Sequence, residues 1–175
     1  MPQINSPTPD ATTTSKGKIQ LAGDLAGTAT APTLSTTAIK LGYAEITSNF
    51  TLASTTSNVF ADVTGLSSTV TVPTGGRDVY VTFKGTVRSA AGSGQGVAVA
   101  VAEGSTILDS LNWDLATSSF GVNATFTARI SAPSAGSHTY KIQIGHTATA
   151  ALAVLAGTPT TPSTSGKAYI LTEIR

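Results

Sequence analysis

The chain has 175 residues, ten Lys plus Arg against nine Asp plus Glu, and only 11% charged residues in all. That length fits one domain with an appendage, and the scattered bases exclude the concentrated positive face that nucleic-acid phosphates require. The absence of cysteine excludes a disulfide framework and a thiolate metal site. Thr, Ser, Ala and Gly fill much of the rest, which disfavours long surface helices and suits short strands joined by turns.

Residues 1–42 are predicted to form an extended or irregular arm. Pro2, Pro7, Pro9 and Pro32 interrupt regular structure, and the leader MPQINSPTPDATTT has no basic-then-apolar signal pattern. Ile19, Leu21, Leu25, Leu34, Ile39 and Leu41 are spaced along it. Burying these side chains would gain roughly 1.5–3 kcal/mol each, on the order of 10 kcal/mol together. Ordering about 30 residues costs ~1–2 kcal/mol each in backbone entropy. A lone arm loses that balance, so these apolar residues are expected to dock on a foreign surface.

From Tyr43 the pattern changes to alternating runs between turn residues. GYAEITSNFTLAS predicts a first strand over Tyr43–Leu52 with a break near Ser48. NVFADVTG and STVTVPTGG predict two short strands. RDVYVTFKGTVRS sets Val79, Val81 and Phe83 on one face and Tyr80, Thr82 and Lys84 on the other. AAGSGQG reads as a flexible connection. VAVAVAEG then sets Val97, Val99 and Val101 against a face of alanines and turns at Glu103–Gly104. FGVNATFTARIS alternates most cleanly, with Val122, Ala124, Phe126, Ala128 and Ile130 inward. HTYKIQIGH aligns Tyr140, Ile142 and Ile144, and TATAALAVLAG and KAYILTEIR supply the final strands.

Eight to ten strands, turn signals about every ten residues and no helix predict an all-β fold. The expected architecture is an antiparallel jelly-roll-like β-sandwich head over 43–175, carrying an extended N-terminal arm over 1–42. In the last strand Tyr169 and Leu171 share one face while Ile170 and Ile174 share the other. A strand apolar on both faces needs cover on both, so Tyr169 and Leu171 are expected at a subunit interface. The alanine face of residues 97–102 is a second place where a neighbour could approach. No run nears the roughly 18 apolar residues of a membrane span, so no membrane insertion is expected.

No catalytic set emerges. His138 and His146 lie eight residues apart on one predicted strand with no third ligand in usable spacing, so neither a metal nor a cofactor is expected. GSGQG at Gly92–Gly96 lies between strands, whereas a phosphate-cradling loop must open a helix. No G-x-S-x-G elbow is present. A glycosidase pair among the few carboxylates would be recognised only by a folded separation of about 5–10 Å. Trp113, the single tryptophan, is flanked by Asp109 and Asp114 in DSLNWD. It reads either as a filler of core or interface or as a stacking platform for a host glycan, with the loops at 89–96 and 157–166 as further contacts.

The stretch TTTSKGKIQLAGDLAGTATAPTL resembles a segment of bacteriophage tail-fibre and other virion appendage proteins, in which K-G-x-I-Q-L-A-G-D-L-x-G-T-A-x-x-P leads into a distal head. Lys16, Gly17, Ile19, Gln20, Leu21, Ala22, Gly23, Asp24, Leu25, Gly27, Thr28, Ala29 and Pro32 carry the likeness. The remainder is similar in pattern to the small heads of such appendages and to trimers of the tumour-necrosis-factor and C1q type, through SAGSHTYKIQIG and GKAYILTEIR. The resemblance implies a homotrimeric virion structural protein on the particle surface, docked by its arm on the major capsid protein or another virion protein. The short arm favours a capsid decoration or head fibre over a long tail fibre. The alternatives are a tail-fibre tip that recognises a host surface glycan or protein and, more remotely, a polysaccharide-cleaving enzyme.

Overall fold

The computed structural model describes residues 25–28, 31–34, 41–53, 58–89, 95–115, 121–147, 151–157 and 166–175. Every regular element among them is a strand. The chain divides into two compact units, 1–38 and 39–175.

In the first unit, β1 (Leu25–Thr28) and β2 (Ala31–Leu34) pair antiparallel, with Leu25 opposite Leu34 and Thr28 opposite Ala31. Part of the segment expected to be irregular is thus a narrow ribbon. Pro32, opposite Gly27, is tolerated because both strands of a two-stranded ribbon are edges. A ribbon of this size is marginal by itself in water. Ile19, Leu21 and Ile39 lie outside the described residues.

The second unit contains β3 (Leu41–Glu45), β4 (Phe50–Leu52), β5 (Ala61–Val72), β6 (Val79–Ser89), β7 (Gln95–Glu103), β8 (Thr106–Leu115), β9 (Gly121–Ile130), β10 (Gly136–His146), β11 (Leu152–Leu155) and β12 (Tyr169–Ile174). One sheet runs β5-β10-β7-β8. The other is built on β6, with β9 along one edge and β12 and β11 end to end along the other. Outside these lie β3 against β12 and β4 against β11. Counting β3 with β4 and β11 with β12 as single ranks gives eight ranks in the orders 2-7-4-5 and 1-8-3-6. All ladders are antiparallel, and the order is that of a jelly roll.

The alternation of period two decides which side chains meet between the sheets. Val79, Val81, Phe83 and Val87 of β6 and Val99, Val101, Ile142 and Ile144 of β7 and β10 have no exposed surface. Each gains roughly 1.5–3 kcal/mol by leaving water. The inward set expected on β9 is also found, with Ala124 and Ala128 buried and Val122, Phe126 and Ile130 packed on the core.

Three details differ from expectation. The sandwich starts at Leu41, within the segment assigned to the arm. The two short strands expected between Asn58 and Gly76 are one strand, β5, which passes Gly65 by a register shift: Ser67 pairs with Lys141 and Asp62 with Gln143. Gly65 has φ of 92°, which a side chain would resist, and a Cβ there would also press on Ile46 Cγ2 at 3.1 Å. Finally, the alanine face of β7 is closed along part of its length, Ala98 alone of its alanines staying partly exposed. Ala100 and Ala102 have no exposed surface, and the same-face partners beside them, Gln143 and Lys141, are tied together by Asp62.

Candidate functional site

Register places three rows of side chains on the outer face of the β6 sheet: Leu41–Glu173–Tyr80–Arg129, Tyr43–Leu171–Thr82–Thr127 and Glu45–Tyr169–Lys84–Thr125. Directly opposed residues of a ladder share a face, so Tyr169 and Leu171 point away from the core, as expected. Leu41 and Tyr43 join them there from β3, 64% and 56% exposed. The Tyr43 and Tyr169 rings sit 5.5 Å apart at 36°. Charged pairs rim this stripe: Lys167 bonds Glu45 at 2.8 Å and Arg175 bonds Glu173 at 2.7 Å. The Lys167 hydrogen bond, aided by the Tyr43 hydroxyl, holds the Glu45 carboxyl below its usual range. The surface is an apolar centre with a polar margin, the anatomy of a protein interface.

The outer face of the β7 sheet carries a cavity of about 490 Å³. Its floor is small because Gly145 lies opposite Ala98, while Gly96 follows one step along the same face. The segment 58–60 forms one wall, pinned by the Asn58 N–H donating to the His146 carbonyl at 2.7 Å. A Cβ at Gly145 would stand 3.1 Å from the Val59 carbonyl and 3.4 Å from the Phe60 ring, so glycine allows this wall to close down. Asn112 and Asp114 of β8, opposite Ala98 and Gly96, form the other wall. Trp113 lies between them in sequence but pairs with Val97 on the inner face. Its side chain packs against the core and also lines the cavity; the indole N–H is buried without a partner. Strand alternation therefore sets Trp113 and Asp114 on opposite faces, and the exposed aromatic beside the cavity is Phe60.

A family described as a repeat of unknown function matches residues 9–76, which take in the β1–β2 ribbon and strands β3 to β5. Comparison with the curated proteins finds no match. Among solved structures, a chain of infectious bursal disease virus, Gx strain, is similar with a TM-score of 0.46 and 11% identity, over 83% of this chain and 38% of that one. A chain of the Gt strain gives a TM-score of 0.36 and 11% identity, over 83% and 40% respectively. The protein thus spans less than half the length of either viral chain.

Several other titratable groups hold strands together. Asp78 bonds Arg129 at 2.6 Å and accepts the Ala132 N–H, which keeps its carboxyl acidic. His138 and His146 lie on β10, as expected. The His138 ring offers Nδ1 to Glu103 and Nε2 to the Ser134 carbonyl, both at 2.8 Å. Burial works to lower its pKa, but these two acceptors outweigh burial and raise it. The ring stacks on Tyr140, whose buried hydroxyl is pushed up to about 12 by desolvation and by Glu103. Among the described residues no group of three or more His, Asp and Glu could hold a metal. Asp109 accepts the N–H of Ser110, and Asp114 faces the cavity. Of the residues singled out in the arm, Leu25 and Leu34 are ribbon partners and Leu41 lies on the interface-like stripe. Of the loops at 89–96 and 157–166, residues 90–94 and 158–165 lie outside the described residues.

Proposed function

We propose that the protein is a structural component of a phage particle: a homotrimer with an outward-facing jelly-roll head, attached through residues 1–42 to the major capsid protein or another virion protein. The observation that carries self-association is the uncovered stripe of Leu41, Tyr43, Tyr169 and Leu171, rimmed by ion pairs. A second and third copy of the same surface would cover it. The likeness of Lys16–Pro32 to appendage segments supplies the particle, and decoration of the capsid or a head fibre is the placement proposed. The β1–β2 ribbon supports docking, because two short strands gain little without a surface beneath them. The reading assigns no enzymatic activity and no cofactor.

Deletion of residues 1–34 tests it. The head is expected to keep its β-type circular dichroism and its oligomeric mass, and to be missing from purified particles. Normal incorporation of the truncated chain would remove the docking role. The second reading is a receptor-binding tip; the cavity beside Trp113 favours it. That reading requires the purified protein to label host cells.

A further inference from the structure

We propose that the cavity on the outer face of the β7 sheet binds a neutral sugar, one or two hexose units in extent, with Asn112 and Asp114 as the polar contacts and Phe60 as the apolar one. The proposal narrows the second reading above to one ligand class and one site.

A cavity of about 490 Å³ is of small-molecule size. Its groups are of two kinds. Phe60, Val59 and the Ala98 floor are apolar, whereas Asn112 and Asp114 are polar and exposed on the facing wall. Neither the Asn112 amide nor the Asp114 carboxylate has a hydrogen-bond or ion-pair partner among the described residues. Together they offer two N–H donors and several acceptor lone pairs. A pyranose ring presents one C–H face and a rim of hydroxyls that both donate and accept, which matches an apolar wall facing an amide and a carboxylate.

Charge narrows the class further. Among the described residues no Lys or Arg lines the cavity, and Asp114 does, so a sulfated, phosphorylated or sialylated ligand would meet a like charge there. A peptide could not add as a strand beside β7, whose two edges carry β10 and β8. Trp113 packs against the core and also lines the cavity.

Because Trp113 is the only tryptophan and borders the cavity, its fluorescence reports occupancy. The full-length protein is titrated with methyl glucoside, methyl galactoside, N-acetylglucosamine and lactose into the high millimolar range, with N-acetylneuraminic acid as the anionic comparator. At least one neutral sugar is expected to shift the emission saturably. Asn112→Ala with Asp114→Ala is expected to weaken that binding at least tenfold, and N-acetylneuraminic acid is expected to bind no better than to this variant. Both side chains are exposed, so the variant is expected to melt as the parent does. Phe60→Ala is the second, independent variant and is expected to weaken binding also. No saturable response to any of the neutral sugars overturns the proposal, and so does undiminished binding by both variants. Sugar binding without cell labelling would instead remove the receptor role and leave the site.

Discussion

Replacing Leu41 by serine tests the assembly surface at its most exposed point. Leu41 is 64% exposed in the single chain. Full burial of a leucine is worth roughly 1.5–3 kcal/mol, so covering the remaining two-thirds in an assembly is worth ~1–2 kcal/mol per chain. Since 1.4 kcal/mol is tenfold, each contact is expected to weaken by about five- to thirtyfold. The isolated fold should barely notice, because Leu41 points away from the core while its neighbours Gly42 and Ala44 face it. Sedimentation velocity over a dilution series reads the association, and thermal melting of the dissociated chain controls for folding. A parent that stays monomeric at every concentration, or a variant that associates as tightly as the parent, refutes the reasoning.

Other consequences concern the sandwich itself. A Cβ at Gly42 would lie 2.1 Å from Ser68 Oγ and 3.0 Å from Val70 Cγ1, so Gly42→Ala overpacks the space between β3 and β5. Such overpacking typically costs ~1–3 kcal/mol, and an unchanged melting temperature would show that β3 does not pack as described. His138 has a pKa raised above its ordinary 6.5. Its contribution to stability is therefore complete below the unfolded value and is lost as pH rises through the higher folded value. Urea midpoints of the parent, compared with His138→Asn, are expected to show this falling arm above pH ~6.5; parallel pH curves would contradict it.

The faces of β6, β9 and β10 were legible in advance because alternation is local: Val79, Val81 and Phe83 need only their own spacing to declare an inner face. What local pattern misses is pairing. Gly65 and Ser67 look like a turn, yet the ladder to β10 carries β5 past them through a bulge. Tyr43 belongs to the same stripe as Tyr169, but that relation depends on β3 lying beside β12, well over 100 positions later in the chain. The cavity was less legible still. Asn112, Trp113 and Asp114 stand together in DSLNWD, but Phe60 gave no local signal and alternation splits Trp113 from its two neighbours. Only the register of Gly145, Ala98 and Asn112 shows that the floor is small and the walls converge.

The two surfaces lie on the outer faces of different sheets, with the shared core between them. No side chain belongs to both: the stripe draws on β3 and β12, the cavity on the 58–60 segment, β7, β8 and β10. Substitutions without shared partners usually act additively. Leu41→Ser should therefore leave sugar affinity unchanged in the dissociated chain, and Asn112→Ala with Asp114→Ala should leave the oligomer intact. A head that assembled through one face and offered ligand sites on the other would multiply weak single-site binding by the number of chains on a particle. If the single substitution and the pair prove strongly coupled, the core must transmit strain between the sheets, and the picture of two independent outer faces fails.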